Sequence, residues 1–256
     1  MEKLNYEVHS KEKIYFTIKS VISVIIYALI FYKILDILVN DDINTGPSTY
    51  VFIMYAIIII VWLFFSAGIM AGHIQGNGIS ISRKQFPEIY SLIEKHCDEL
   101  DMEVPPVYMI QNGGVLNAFA TRFVGRNYVV IYSDIFDLAH EEGMNELSFI
   151  IAHELGHVKR KHVLKRLLLF PSFIIPFLGS AYSRACEFTC DNIGNALSPN
   201  GSKNGLMILA AGKRSFNKVN MEQYLASAED ETGFWKWFSE KVSSHPNLPN
   251  RIENLI

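Results

Sequence analysis

The sequence predicts a mainly helical α+β protein, in which a pair of N-terminal transmembrane helices precedes one domain with a small antiparallel sheet. Two long apolar stretches lie near the start of the chain, a group of short strand-like segments follows them, and a later helical stretch carries two histidines and a glutamate close together. The chain has 256 residues, of which 50% are hydrophobic and 19% charged. This composition fits one globular domain plus membrane-embedded segments.

Residues 1–13 are polar and of mixed charge, and we expect them to form a cytoplasmic tail. Within residues 14–71, the stretches Ile14–Val39 and Tyr50–Ala71 are each long enough to cross a membrane. Basic residues precede the first stretch and follow the second, whereas the short external loop between them has only acidic charges. The positive-inside rule therefore predicts a multi-pass protein of the cell (inner) membrane, with both termini and the domain of residues 72–256 in the cytoplasm.

The first part of that domain combines a helix with strands. Gln85–Leu100 has the apolar spacing of an amphipathic helix. The segments Val107–Ile110, Leu116–Phe123 and Tyr128–Tyr132 read as short strands separated by glycine-containing turns. They predict a small antiparallel sheet. The net charge of −3 gives no indication of nucleic-acid binding, and we predict none.

The stretch Asn145–His162, NELSFIIAHELGHVKRKH, predicts a buried helix with Asn145 as its N-cap. His153 and His157 lie one turn apart, so both imidazoles project from one face toward a point where a tetrahedral zinc can sit. Glu154 lies about 100° around the helix axis, where its carboxylate reaches a water activated by the metal rather than the metal itself. The pattern predicts a zinc hydrolase with one Zn²⁺ per chain, although this kind of site also accepts cobalt or manganese.

A catalytic zinc needs a third protein ligand. The metzincin spacing is excluded, because the chain has Arg160 and Val163 where that motif needs glycine and histidine, and His162 lies one residue out of register. Downstream, the segment SRACEFTCD places Glu187 and Asp191 on adjacent turns of a second helix. We predict Glu187 as the third ligand. Asp191 is expected to accept a hydrogen bond from a group of the site or to carry a proton, with a helix-surface salt bridge as the alternative.

HELGH at 153–157, followed by S-R-x-x-E-x-x-x-D at 183–191, resembles the HtpX-like membrane zinc metalloproteases and, more distantly, the CaaX prenyl proteases. NAFAT at 117–121 and HPNLPNRI at 245–252 fit the same resemblance. It implies a gluzincin fold, a protease site that faces the cytoplasm, and peptide or membrane-protein substrates.

The resemblance also implies roles for residues outside the zinc ligands. The segment Asn117, Ala118, Phe119 and Ala120 resembles the edge strand on which gluzincin-type proteases bind the substrate as an added strand. His245 would donate a hydrogen bond to the developing oxyanion, and Arg251 would pair with a carboxylate such as Asp191. The alternatives are an ordinary strand at 117–120 and a C-terminal turn with a surface arginine.

Two apolar segments remain. Within residues 163–182, Leu167–Gly179 is too short to span a membrane, whereas the corresponding interval of HtpX is longer and usually taken to cross twice. We expect an interfacial or re-entrant segment, with a helix hairpin packed on the core as the alternative. For the aromatic cluster FWKWF at 234–238, core packing is a simpler explanation than ligand stacking, and an interfacial belt is the alternative that stays open. Cys97, Cys186 and Cys190 are expected to be small buried residues, and a reducing compartment fits them.

The function predicted from these features is a membrane-anchored zinc endopeptidase that acts on membrane or misfolded proteins in quality control. Its partners would be protein or peptide substrates and the lipid bilayer. A CaaX-type prenyl-peptide protease is the alternative with the same chemistry. A catalytically silent membrane scaffold or chaperone is the other alternative, but such a protein would be expected to lose a ligand or the base, and this chain retains all four residues.

Overall fold

The structure, a computed structural model, describes residues 4–40, 47–111, 118–141, 143–212 and 214–256. It begins with two long helices, α1 (Ser10–Asn40) and α2 (Pro47–Asn77). Ser10–Ile37 and Ile53–Asn77 within them are long and apolar enough to cross a membrane. The two apolar helices predicted from the sequence are therefore present. Helix α1 begins inside the segment that was predicted to be a tail.

The strands are β1 (Ile79–Ser80), β2 (Val107–Ile110), β3 (Ala118–Phe123) and β4 (Arg126–Tyr132), with helix α3 (Pro87–Glu99) between β1 and β2. They form a sheet in the order β1-β2-β4-β3. The pairs β1/β2 and β3/β4 are antiparallel, but β2 and β4 are parallel. The sheet is therefore mixed, and the prediction of antiparallel pairing was wrong for β2 and β4. The reason is that β3 folds back onto the outer side of β4, which leaves the inner side of β4 to β2.

This topology makes β3 an edge strand of the sheet. Strands β3 and β4 are joined by a tight turn at Val124 and Gly125, both with positive φ. On the side away from the turn, the described part of β3 begins at Ala118, so the predicted site residue Asn117 lies outside the described residues. Helix α2 packs on the other end of β3, where Phe64 contacts Phe123 with ring centroids 5.6 Å apart.

The rest of the domain is helical, in agreement with the predicted fold class. The helices are α4 (Ser133–Glu141), α5 (Met144–Lys159), α6 (His162–Leu168), α7 (Leu178–Leu197), α8 (Ser202–Ala211), α9 (Met221–Asp230), α10 (Phe234–Val242) and α11 (Leu248–Glu253). Short 3-10 helices at Phe170–Ile174, Pro199–Gly201 and Phe216–Lys218 connect some of them. Asn145 is not the N-cap of α5 as predicted, because that position belongs to Gly143, whose φ of 118° favours glycine.

Helix α5 is buried at the centre of the domain, and α7 packs against it at close range. Leu147, Ile151 and Leu155 of α5 are at most 1% exposed. A Cβ atom at Gly156 would lie 3.3 Å from the Cys190 sulfur of α7, and one at Gly194 would lie 2.7 Å from the Phe149 ring. Glycine at these positions therefore allows the two helices to approach, and this close packing brings the motif of α7 to the histidines of α5.

Two apolar segments are exposed at the surface of the domain. Helix α10 has no buried residue among those described, and Trp235 is 75% exposed, so the prediction that FWKWF packs in the core was wrong. The 3-10 segment between α6 and α7 also turns its large side chains outward, with Phe173 74% and Ile174 72% exposed. The two segments meet where Phe177 packs edge-on against Phe238, with centroids 6.1 Å apart.

Candidate metal centre

The two histidines of α5 and the glutamate of α7 converge on one point. His153 Nε2 lies 3.3 Å from His157 Nε2 and 3.5 Å from Glu187 Oε2, and His157 Nε2 lies 3.4 Å from Glu187 Oε1. Ligand atoms that surround zinc as a tetrahedron at about 2.1 Å stand about 3.4 Å apart. The three side chains therefore present ligand atoms at about the spacing of a zinc site, with each Glu187 oxygen near one histidine.

The orientation of His153 is determined by a buried carboxylate. Asp191 Oδ1 lies 2.9 Å from His153 Nδ1, and the Arg251 guanidinium donates two hydrogen bonds to Asp191, at 2.8 and 2.7 Å. A hydrogen bond from Nδ1–H to the carboxylate leaves the lone pair of Nε2 directed toward the metal position. The alternatives of a surface salt bridge for Asp191 and a surface location for Arg251 do not hold, because the two residues are 0% and 5% exposed.

The charges of these buried groups balance one another. Burial alone would raise the pKa of Glu187, but the attraction of the neighbouring His157 and His153 holds it well below its usual value. The pKa of Asp191 is likewise lowered despite burial, because Arg251 stabilises the carboxylate. Both carboxylates are therefore ionised at neutral pH, as a metal ligand and a hydrogen-bond acceptor require.

Replacing Arg251 with methionine is expected to lower the free energy of unfolding by about 3–5 kcal/mol, because it leaves the buried Asp191 without its counter-charge. Chemical unfolding of the protein in detergent measures this loss. The matched control is Arg83→Ala, which breaks a 2.7 Å pair with Glu94 at the surface, where Arg83 is 77% exposed. Exposed pairs contribute little, so stability should not change measurably in the control. Equal effects in the two variants would contradict the prediction.

A small cleft opens beside the three ligands. It has a volume of about 160 Å³, and its walls include Glu154 of α5, together with Ala118, Phe119 and Ala120 of β3. The predicted base and three of the four predicted substrate-binding residues therefore share one cleft with the candidate metal position. Asn117, the fourth, is not among the described residues.

His245 stands at the mouth of the same cleft. Its side chain is 64% exposed, and its Nε2 lies 3.7 Å from Glu187 Oε1. The segment that carries it is held by Arg184, which donates hydrogen bonds to the backbone carbonyls of Glu240, Lys241 and Ser243. Sequence reasoning gave Arg184 no role, although it is the arginine of the S-R-x-x-E motif.

Two further residues near the centre were not predicted to belong to it. His162 was excluded as a ligand because of its register, but its Nδ1 lies 3.0 Å from His157 Nδ1. Glu12 lies in the segment predicted to be a tail, yet it is 1% exposed and its Oε1 lies 3.4 Å from His162 Nε2.

The cysteines Cys97, Cys186 and Cys190 are buried free thiols, as expected from the sequence, and burial raises the pKa of all three.

Comparison with known proteins identifies the family of the chain. Peptidase family M48 matches residues 83–175 and 167–256. A protease HtpX homolog from Salinibacter ruber is 34% identical in an alignment 215 positions long, which covers 68% of this chain and 75% of that protein. The plastoglobule-localized metallopeptidase 48 of Arabidopsis thaliana chloroplasts is 26% identical in an alignment 190 positions long. That alignment covers 67% of this chain but only 52% of that protein, so the chain spans about half of this relative.

A solved structure shares the fold. The crystal structure of S. mikatae Ste24p superposes with a TM-score of 0.52 at 15% identity, over 98% of this chain and 68% of that one. The family match covers strands β2, β3 and β4 and every residue of the centre from His153 to Arg251. The chain therefore belongs to peptidase family M48.

Proposed function

We propose that this protein is a zinc-dependent endopeptidase, anchored in the cell membrane, that hydrolyses peptide bonds of membrane or misfolded proteins. The observation that carries this proposal is the convergence of His153, His157 and Glu187, whose ligand atoms stand 3.3–3.5 Å apart in a cleft that also contains Glu154. Three protein ligands and one open position are the arrangement of a catalytic zinc rather than a structural one.

The chemistry follows from the positions of the side chains. His153, His157 and Glu187 would hold the zinc, which when bound would lower the pKa of a coordinated water to about 7. Glu154 takes the proton that the attacking water loses and passes it to the leaving amine. His245, at the mouth of the cleft, donates a hydrogen bond to the oxygen on which negative charge develops. Asp191, held by Arg251, keeps His153 in the orientation that presents Nε2.

The proposed substrate is an extended peptide that pairs with β3. This strand lies at the edge of the sheet, and its residues Ala118–Ala120 line the cleft beside Glu154. Pairing through the backbone selects an extended conformation and makes few demands on side chains. Unfolded segments of many proteins meet that requirement, which supports a role in protein quality control.

The bilayer is the second proposed partner, with α1 and α2 as spans and the domain on the cytoplasmic side. Exposed apolar residues at the end of α6, in the 3-10 segment, just before α7 and in α10 support a further contact with the bilayer. We call them the interfacial surface, which comprises Leu167, Leu168, Phe170, Phe173, Ile174, Phe177, Phe234, Trp235 and Trp237. Tyr27, inside the apolar stretch of α1, donates a hydrogen bond to the carbonyl of Leu168 at 3.0 Å. This bond holds the surface beside the predicted span, where aromatic side chains favour the membrane interface.

Tryptophan fluorescence tests this contact, because the chain has three tryptophans and Trp62→Phe leaves only Trp235 and Trp237. In vesicles, lipids brominated near the headgroup end of the acyl chain are expected to quench the remaining emission, and aqueous acrylamide is expected to have little effect. The control variant carries Trp235→Phe and Trp237→Phe, so that it reports Trp62 in α2 alone. Strong acrylamide quenching without quenching by brominated lipid would contradict the interfacial surface.

Metal removal tests the proposed function as a whole. The full chain purified in detergent is expected to contain one zinc and to cleave unfolded casein. Dialysis against a chelator should abolish cleavage, because the chelator competes with the three ligands for the metal. Added zinc should restore cleavage, because metal binding is reversible. A protein without bound zinc, or cleavage that survives complete metal removal, would contradict the proposal.

A prenyl-peptide protease remains the alternative from the sequence, and the fold likeness to Ste24p is compatible with it. In the described part of the chain, two helices qualify as membrane spans. This arrangement favours an open site for protein segments over an enclosed multispanning chamber. Comparing cleavage of casein with cleavage of a farnesylated peptide decides between them, because the two functions share the metal centre and differ in substrate.

A further inference from the structure

His162 has a defined place beneath the metal centre. Helix α5 ends at Lys159, and Lys161 adopts the left-handed conformation with φ of 56°, so that α6 begins at His162 and turns its ring back toward α5. The ring is 2% exposed, and its Nδ1 lies 3.0 Å from Nδ1 of His157. A non-glycine residue in the left-handed conformation is strained, and such strain persists only where the packing around it holds the backbone in place.

The proton positions along this contact follow from the ligand geometry. His157 presents Nε2 to the cluster of ligand atoms, so its Nδ1 carries the proton and donates the hydrogen bond. Nδ1 of His162 is then the acceptor. The proton of His162 therefore sits on Nε2, which faces Glu12 Oε1 at 3.4 Å. One hydrogen-bonded chain thus runs from the metal ligand through His162 to a carboxylate.

Glu12 is suited to terminate this chain. Its carboxylate is buried, and the Arg160 guanidinium donates a hydrogen bond to Oε1 at 2.8 Å, while the Lys165 ammonium lies 3.9 Å away. Because Glu12 belongs to the first turn of α1, the carboxylate that ends the chain is supplied by the same helix that forms the first apolar span.

We propose that His162 and Glu12 form a positioning relay that holds His157 in its metal-binding orientation and ties the metal centre to α1. The inference rests on the proposed function, in which His157 is a zinc ligand. With this relay, each of the two ligand histidines is oriented by a buried carboxylate that pairs with an arginine. His153 is held by Asp191, which pairs with Arg251, and His157 is held through His162 by Glu12, which pairs with Arg160.

The same side chains could instead hold a second metal ion, because ligand atoms of Glu12, His162 and Cys186 lie within 4.8 Å of one another. The surrounding charges favour the relay. Arg160 and Lys165 already contribute two positive charges beside the Glu12 carboxylate, and a divalent cation there would be repelled by both.

Two substitutions of His162 separate positioning from packing. In His162→Asn, the amide oxygen stands where Nδ1 stood and still accepts a hydrogen bond from His157, whereas His162→Leu fills similar space without an acceptor. Zinc affinity is measured on the full chain in detergent by competition with a chromophoric chelator. In the leucine variant we expect zinc affinity to fall about 10- to 100-fold, the usual cost of losing a residue that hydrogen-bonds to a metal ligand. In the asparagine variant it should stay close to that of the wild type.

The role of Glu12 is tested in the same assay. Glu12→Ala should weaken zinc binding in the wild-type background, because His162 is then free to carry its proton on Nδ1, where it can no longer accept from His157. It should cause no further loss in the His162→Leu background, because the carboxylate acts on the metal only through the imidazole. An equal further loss in both backgrounds would remove Glu12 from the relay and assign its effect to packing.

The outcomes distinguish this inference from the proposed function. A wild type that binds no zinc would overturn both. A wild type that binds one zinc, with unchanged affinity in His162→Leu, would overturn the relay alone, and so would two zinc ions per chain. If the leucine variant does not fold, the imidazole nitrogen resonances of the zinc-loaded wild type decide. A proton on Nε2 of His162 supports the relay, and a proton on its Nδ1 overturns it.

Discussion

Replacing Glu187 with alanine is expected to remove zinc from the protein and to abolish cleavage of casein. The carboxylate supplies one of three ligand atoms, and two histidines alone do not make a catalytic zinc site. The substitution also removes the carboxylate that lies 3.8 Å from Arg251 Nη1, so the guanidinium keeps its pair with Asp191 but has one negative charge fewer beside it at the metal position. Losing a residue that only hydrogen-bonds to a metal ligand costs up to about 100-fold in metal affinity, so losing a ligand itself should lower zinc affinity by more than that.

Metal content and cleavage are measured on the same preparation of the Glu187→Ala variant. The matched control is Cys186→Ala, which changes the preceding buried residue of α7 and should leave one zinc per chain. Thermal unfolding of the metal-free forms shows whether the two variants are equally folded. A Glu187→Ala protein that keeps one tightly bound zinc would assign the third ligand to another residue and would require a different arrangement of the centre.

The convergence of the candidate ligands could be predicted from the sequence because its geometry is local. Residues four apart on a helix share a face, so the spacing of His153 and His157 determines where their imidazoles point, and Glu154 must then lie beside them. Glu187 and Asp191 follow the same rule on α7. What brings the two helices together is also visible in the sequence, although less directly, because Gly156 and Gly194 permit the close approach of α5 and α7.

The support of His157 could not be predicted, because it joins residues that are distant in the chain. Glu12 lies 148 positions from Arg160 and 150 from His162. A single glutamate among polar and basic residues near the N-terminus gives no local sign of burial, and the segment was read as a tail. The structure instead has His9 stacked on Phe188, with ring centroids 5.0 Å apart, so this segment packs on α7.

The sheet and the aromatic cluster show two other limits. Strand positions follow from apolar runs and turn residues, but the pairing of β2 with β4 depends on the side of β4 that β3 occupies, which local pattern does not specify. The FWKWF segment has the same composition whether it packs in a core or lies at a membrane surface. Only its place beside Phe177 and the apolar 3-10 segment distinguishes the two.

Glu154→Gln is expected to retain zinc and to lose cleavage. Glutamine keeps the size of the side chain, and Glu154 is not one of the three converging ligands, so the metal should bind as in the wild type. An amide cannot take the proton from the attacking water or deliver it to the leaving amine. Loss of a general base typically costs about 10²- to 10⁴-fold in rate, and kcat should fall by a factor in this range.

The kinetic pattern separates this role of Glu154 from substrate binding. If Glu154 acts only on the proton, kcat falls while the affinity for an extended peptide is unchanged, because β3 and the walls of the cleft are intact. His245→Ala is the comparison within the same cleft, since it removes a donor rather than a base and should cost about 10²- to 10³-fold. A Glu154→Gln protein that cleaves casein at the wild-type rate with zinc bound would exclude Glu154 as the base. A variant that loses its zinc would instead move Glu154 into the ligand set, and the division between three ligands and one base would have to be redrawn.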